Sequence, residues 1–568
     1  MTEDMAQLLL FGLVILSLTP LLGRYMVRVY TGERVLLSPV AAPLERLIYR
    51  IAGIDPRAEQ RWARYALSAI MLNFVGALCF YIMLRLQHLL PLNPRGFGPM
   101  EPALAFNTAI SFITSTNWQA YAGESTLSYL SQMAGCTVLN FISAATAMAV
   151  AIAVMRGLVT SQTKTLGNFH ADFVRTHLYI LLPISVIAAL FLAFEGVPQT
   201  LGDYVAVRTV EGPEQIIPQG PVASQTAIKM LGTNGGGFFN ANGAHPYENP
   251  TPLSNFVQTV MMLLIPAALT YSFGLMAGDT RQGWVLFSAM SILFVLGLFI
   301  VYVAERSGNP LLAAYPIDQT AGNFEGKEVR FGIAASALWA VTATTTACGA
   351  VNAMLDSFTP IGGMVPMMNV QLSEVVFGGA GSGFYTIILY VVLAVFIAGL
   401  MIGRSPDYLG KKIEVREIKL TVLTLLIVPL GMLLLPAIAI MIPSAVAALQ
   451  DRGPHGLSEI LYAYASATAA NGSAFAGFDG TSTFHLTAIG LGMLAGRFAF
   501  IIAGLAIAGS IGAKRAAVVF TGAVPTTTPL FVAIMVAVIF VFGALSFFPA
   551  IALGPIAEHF EMLRGRTF

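Results

Sequence analysis

The sequence predicts an all-α polytopic membrane protein: about ten transmembrane helices, four membrane–pore–membrane repeats around a pseudo-fourfold pore, and extra first and last helices. Three observations predict it. The 568 residues are 56% apolar and 10% charged, where soluble chains carry about 25% charge. Ten apolar runs approach the ~20 residues that a spanning helix needs. One short polar motif recurs four times between those runs. The net charge of +1 gives no reason to expect nucleic acid as a partner. Cys79, Cys136 and Cys348 are too scattered for a disulfide framework or a zinc site.

Along the chain, spans are expected near 7–27, 65–88, 128–155, 175–194, 255–276, 284–304, 384–403, 420–448, 485–511 and 528–549. The first has an acidic start and no small-residue cleavage site, so it reads as a retained helix rather than a signal. Segment 360–383 is apolar but interrupted, and reads as a split first half of the seventh helix. The resulting division is 1–63 (first helix and basic loop), 64–156, 174–276, 283–404 and 420–512 (four repeats, the third with a broken second helix), and 513–568 (last helix).

Basic residues in short loops set the orientation. The loop from Arg24 to Arg64 holds eight arginines. Further clusters are Arg156/Lys164/Arg175, Arg404/Lys411/Lys412/Arg416/Lys419 and Lys514/Arg515. All fall on one side, the cytoplasmic one, if the N-terminus is extracytoplasmic. The opposite loops, 91–104, 197–221, 305–331 and 450–458, are mixed or acidic.

The recurring motif is a short helix-forming stretch followed by a kink. The four copies are "ALAFNTAISFITSTNWQAYAG", "VASQTAIKMLGTNGGGFFNAN", "GIAASALWAVTATTTACGAVNAM" and "GLSEILYAYASATAANGSAFAG". Stacking the kinks aligns Asn117, Asn234, Cys348 and Asn471, at steps of 117, 114 and 123 residues, followed by Trp118, Gly235, Gly349 and Gly472. A fixed period signals a repeated unit that packs against its copies. Each stretch is too short to span, so it reads as a half-helix that enters the bilayer and returns. Irregular backbone at that depth must be buried in protein or line water. Four half-helix C-termini would aim partial negative charge at one point. Carbonyls from the kinks would then replace the water around a potassium ion.

With these loops in view, the chain resembles the KdpA family, the potassium-binding subunits of the bacterial Kdp ATP-driven potassium pump. The most specific stretches are "LGTNGGGFFNANGAHPYENPT", "CGAVNAM", "FGGAGSGFYTIILYVVLAVFIAGLMIGRSPDYLGKKIEVREIK" and "NGSAFAG", and the likeness covers essentially the whole chain. The resemblance implies K+ as the bound and transported ion. It implies a filter of Ser115, Thr116, Asn117, Thr233, Asn234, Gly235, Ala347, Cys348, Gly349, Ala470, Asn471 and Gly472, with Gln119 at the pore mouth. It further implies a bacterial inner membrane location, an intramembrane tunnel to a P-type ATPase catalytic subunit, small single-span accessory subunits and surrounding membrane lipid. Trp118, where the other loops carry glycine, makes the first loop the odd one. Neither D-K-T-G nor G-x-x-x-x-G-K-[ST] occurs, so the chain is expected to be a non-catalytic subunit. A stand-alone channel or symporter of the Trk/Ktr/HKT type shares the four-unit design and is the competing reading.

Charges within membrane segments are costly and point to function. Glu374, in the split half-helix, and Arg497 are expected to lie near one another beneath the filter. Arg404 is expected near the cytoplasmic exit, where its charge would repel a potassium ion running straight through; interfacial snorkelling is the alternative. Gly378, Gly379, Gly381 and Gly383 break the third unit's second helix and read as a gating loop. His245, His455 and His485 lack metal spacing and read as packing or interfacial residues. Lys229, in the second short helix, reads as a contact to an outer carbonyl or to lipid and receives no ion role.

Overall fold

The computed structural model describes residues 2–312, 315–516 and 524–566. Positions 313–314 of the expected 305–331 loop, and 517–523 and 567–568 of the expected last segment, lie outside the described residues. In chain order the helices are α1 (Thr2–Thr31), α2 (Ser38–Ala52), α3 (Trp62–Leu86), α4 (Pro102–Ile113), α5 (Ser131–Val159), α6 (Phe169–Phe194), α7 (Val222–Leu231) and α8 (Pro252–Met276). They continue with α9 (Thr280–Arg306), α10 (Gly332–Thr345), α11 (Pro360–Gln371), α12 (Ser382–Ile402), α13 (Val415–Ala439), α14 (Gly453–Thr468), α15 (Thr483–Gly512) and α16 (Pro529–Leu563). Ten of these, α1, α3, α5, α6, α8, α9, α12, α13, α15 and α16, are long and apolar enough to cross a membrane. Three times a short helix (α4, α7, α14) stands between two long ones, and in the third unit α10 is separated from the next long helix by the short α11.

Four helices start at a cap that is followed by proline. Glu101, Thr251, Thr359 and Thr528 each accept a backbone N–H from the first turn of the helix they precede. Each is followed by proline, whose fixed φ suits the first helical position. Helices therefore run past the apolar stretch to the nearest cap, which is why α8 begins at Pro252 rather than 255. Two small antiparallel hairpins, Val205–Arg208 with Glu214–Ile217 and Asp407–Tyr408 with Lys411–Lys412, sit in the connections.

Helices α5 and α8 are the innermost spans, with 83% of their apolar windows buried, against 17% in α1 and 28% in α3 and α16. Glycines permit the closest approaches, as small residues do between membrane helices. A Cβ on Gly157 would lie 2.5 Å from Ala508 O, bringing α5 against α15. A Cβ on Gly496 would lie 1.8 Å from Thr468 O, holding the end of α14 against α15.

The expected split is present as α11, a connection, and α12. One expectation is corrected: Glu374 lies in the connection, not in a half-helix. Ser373 (φ 60°) and Phe377 (φ 45°) are left-handed there, a conformation that ends an α-helix.

Candidate functional site

Each of α4, α7, α10 and α14 ends in a loop whose first and third residues are left-handed. The φ values are 66° and 52° at Ser115 and Asn117, 52° and 72° at Thr233 and Gly235, 52° and 70° at Ala347 and Gly349, and 55° and 93° at Ala470 and Gly472. The middle residue returns its N–H to its own helix in the same way each time. Thr116 donates to Ser111 O (3.0 Å), Asn234 to Lys229 O (2.8 Å), Cys348 to Ala343 O (3.0 Å) and Asn471 to Ser466 O (2.8 Å). The third N–H joins the same oxygen in three loops, and in the fourth Gly472 N–H reaches Ser466 Oγ at 3.0 Å. Backbone of alternating hand gathers N–H groups on one side; the carbonyls leave on the other.

This pattern sets the register, and it corrects the stacking read from the sequence. Ser115–Thr116–Asn117 corresponds to Thr233–Asn234–Gly235, Ala347–Cys348–Gly349 and Ala470–Asn471–Gly472. Asn117 matches the glycines, not the other asparagines, so Trp118 is one place beyond them. Matching asparagine to asparagine shifted the first loop by one. The backbone counts five residues from the helix carbonyl in every loop.

The four loops converge. A Cβ on Gly235 would lie 1.5 Å from Cys348 O, one on Gly349 1.8 Å from Asn471 O, and one on Gly472 1.9 Å from Thr116 O. Contacts thus run in cyclic order, second loop on third, third on fourth, fourth on first. Asn117 closes the ring by donating from Nδ2 to Gly235 O at 2.9 Å. Thr116, Asn234, Cys348 and Asn471 are fully buried. Yet among the described residues no hydrogen bond reaches their main-chain oxygens. More than about 90% of buried backbone groups in proteins are paired. Four orphan oxygens on four abutting loops are a set of acceptors that suits a cation. A cavity of about 240 Å³ opens above them, lined from all four loops by residues including Asn117, Gln119, Gly236, Gly349 and Gly472.

The side chains brace the ring rather than line it. Asn234 Nδ2 donates to Ser115 Oγ (2.8 Å) and Ser143 Oγ (2.9 Å), and Asn471 Nδ2 to Ala343 O (2.9 Å). Gln119 grips Gly237 twice, accepting its N–H (2.8 Å) and donating to its carbonyl (3.0 Å). Trp118 packs edge-on against Phe478. Lys229 is buried and donates to a loop carbonyl, Gly236 O, at 2.8 Å, as the sequence suggested; what the sequence analysis missed is its pairing with buried Glu248. A lysine in the apolar helix "QTAIKML" was the available signal.

The connection between α11 and α12 meets the second loop directly. Thr233 Oγ1 accepts the Ala380 N–H at 2.7 Å. Glu374 Oε2 accepts the Gly379 N–H (3.1 Å), and its Oε1 lies 3.8 Å from Arg497 Nη1. Arg497 also donates to Ser143 O at 3.1 Å, so the pair shares Ser143 with Asn234. The glycines permit tight folding here. A Cβ on Gly378 would meet Glu374 O at 2.1 Å, one on Gly381 (φ 109°) the Ala147 backbone at 2.3 Å, and one on Gly383 Gly378 N at 2.5 Å. Gly379 is packed against Ser382 Oγ. Arg404 differs: it follows the C-cap Gly403 and is exposed.

His455, expected as a packing or interfacial residue, stacks on Phe475 and in addition joins an ionic cluster. Its two ring nitrogens bond Glu558 (2.9 Å) and Asp356 (3.0 Å), with Asp451 nearby. Burial alone would lower its pKa, but the bonds to Asp356 and Glu558 outweigh this and push it up to about 10. Asp356, Asp451 and His455 are close enough together to ligate a metal. With both nitrogens engaged by carboxylates, the cluster acts as an ionic clasp between α14 and α16. His245 stacks on Phe239, and His485 is buried against Tyr464 and Ala445 O.

The whole arrangement is that of a polytopic membrane transporter. The potassium transporter TrkH from Vibrio parahaemolyticus has the same fold, with a TM-score of 0.53 over 87% of this chain and 96% of that one, at 14% identity. The chain belongs to the KdpA family: the family described as "Potassium-transporting ATPase A subunit" matches residues 9–560. It is 57% identical over 566 residues to a protein from Rhodospirillum centenum, covering 100% of this chain and 99% of that one. A Mesorhizobium japonicum protein is 55% identical over 99% of both chains, and a Methylobacterium nodulans protein 56% identical over 99% of this chain and 98% of that one. All three are named "Potassium-transporting ATPase potassium-binding subunit".

Proposed function

We propose that the chain is the potassium-selecting subunit of an ATP-driven potassium uptake complex. The carrying observation is the set of four buried, unpartnered main-chain oxygens at Thr116, Asn234, Cys348 and Asn471. Such oxygens replace the hydration shell of a dehydrated potassium ion, aided by the partial negative charge of four helix C-termini. The relatives' names supply the ion and the ATPase partner. Four unequal loops favour one or two binding positions over a queue of ions.

K+ enters from the extracytoplasmic side, where the N-terminus also lies, and meets the glycine connection with Glu374 and Arg497 below the ring. That connection turns the ion sideways, through an intramembrane tunnel, to a P-type catalytic subunit. Arg404, on the basic-loop side, repels ions from a straight exit. Small single-span subunits and membrane lipid complete the assembly.

The test is anomalous density from crystals of the protein grown in rubidium. Density among the four oxygens is expected; density only elsewhere overturns the proposal. The TrkH-like fold is what favours the competing stand-alone channel or symporter. A co-purifying chain that forms an acyl phosphate excludes that reading, whereas ATP-independent potassium uptake by the chain alone establishes it.

A further inference from the structure

We propose that the elbow between α1 and α2 holds the headgroup of an anionic phospholipid. The inference rests on the membrane-spanning reading of the ten helices and is independent of the ring.

Helix α2 has 15 residues, about 22 Å of length, too short to span. One face is tied down: Ala41, Glu45 and Tyr49 are buried, and Glu45 receives hydrogen bonds from Tyr179 (2.7 Å), Tyr49 (2.8 Å) and Arg175 (3.0 Å). Another face carries Val40, Leu44, Leu47 and Ile51, all exposed, with Val40 and Ile51 nearly four-fifths so. Spacings of four, three and four residues put them in one stripe. An amphipathic helix with an uncovered apolar stripe and arginines beside it belongs in the headgroup–acyl boundary.

A cavity of about 500 Å³ lies at the elbow, with Arg34, Arg46, Arg175, Glu33 and Glu45 in its wall. Both acids are already matched, Glu33 by Arg28 (3.3 Å) and Glu45 by Arg175 (3.0 Å). Among the described residues, Arg34 and Arg46 form no ion pair. The cavity therefore offers two uncompensated guanidinium groups, which suit a phosphate bidentately. Val29, Val35, Pro39 and Pro43 in the same wall offer apolar surface for the start of the acyl chains, while the stripe, on the opposite face of α2, seats the helix in the acyl region. A soluble anion would use the arginines and leave the apolar part of the cavity wall bare; a zwitterionic lipid would bring its own cation. An anionic phospholipid matches both features.

The test is native mass spectrometry of the delipidated full chain, with whatever subunits co-purify, titrated with phosphatidylglycerol or phosphatidylcholine. At about fivefold per arginine near a membrane surface, Arg34→Gln/Arg46→Gln is expected to bind phosphatidylglycerol roughly 25-fold more weakly, with phosphatidylcholine unaffected. Arg34→Lys/Arg46→Lys is expected to keep most of the affinity, separating charge from folding. Inorganic phosphate is expected not to displace the lipid. Unchanged phosphatidylglycerol binding in the glutamine variant overturns the proposal, as does displacement by phosphate or a protein subunit filling the elbow. Rubidium density at the ring, measured separately, stays informative in every case.

Discussion

Three of the four converging loops place glycine at the third position, and the first places Asn117. Both solutions adopt the same left-handed backbone. At Gly235, Gly349 and Gly472 the neighbouring carbonyl leaves under 2 Å for a Cβ, so no side chain fits. At Asn117 the facing loop makes room, because the second loop continues with left-handed Gly236, whose own Cβ would sit 3.1 Å from Asn117 Cβ. The run of three glycines after Asn234 thus does two jobs, approaching Cys348 on one side and receiving Asn117 on the other. A left-handed non-glycine residue costs about 1–2 kcal/mol, least for asparagine. Asn117 offsets this with two side-chain hydrogen bonds, to Gly235 O and Asn140 Oδ1, each worth about 1 kcal/mol. The neighbour's oxygen, rather than the backbone angle, dictates where glycine is obligatory.

Several substitutions break or sharpen that contrast. The largest effect is expected from Gly235→Asp, which drives a carboxylate onto Cys348 O. Discrimination of potassium over rubidium and ammonium should fall at least about tenfold, or ~1.4 kcal/mol, in uptake assays; intact selectivity would break the assignment. Next comes Gln119→Arg, which removes the grip on Gly237 and adds a cation at the cavity. The half-saturating potassium concentration should rise about tenfold, since a charge at short range costs ~1 kcal/mol or more; an unchanged value contradicts the mouth assignment. Asn117→Gly loses two hydrogen bonds but relieves the backbone, so thermal unfolding should report a cost within about 1 kcal/mol. A collapse as severe as that of Gly235→Asp would mean that Asn117 does more than brace. The smallest effect is expected outside the ring. Arg404→Gln should produce a slow, ATP-independent potassium leak in vesicles, and unaltered passive flux would remove its proposed role.

The spans were legible in the sequence because apolar length alone specifies them. The loops were legible because their small residues recur at a near-constant step. Register in the first loop was not, because Asn117 does there what glycine does elsewhere, and chemical identity misled where backbone geometry decided. Glu374 and Arg497 could be paired in advance because charge is rare in apolar segments. The break around Glu374 was visible, but its left-handed Ser373 and Phe377 carry no sequence signature. Lys229 with Glu248, and His455 with Glu558, join groups from different elements, and no local pattern announces such partners.

The hydrogen bond from Ala380 to Thr233 has a mechanical corollary. At 2.7 Å it has under an ångström of slack before it lengthens past about 3.5 Å and ceases to bind. Thr233 cannot withdraw by that much without letting go of the glycine segment below, so the two storeys are pinned at one corner and must shift in concert or part company.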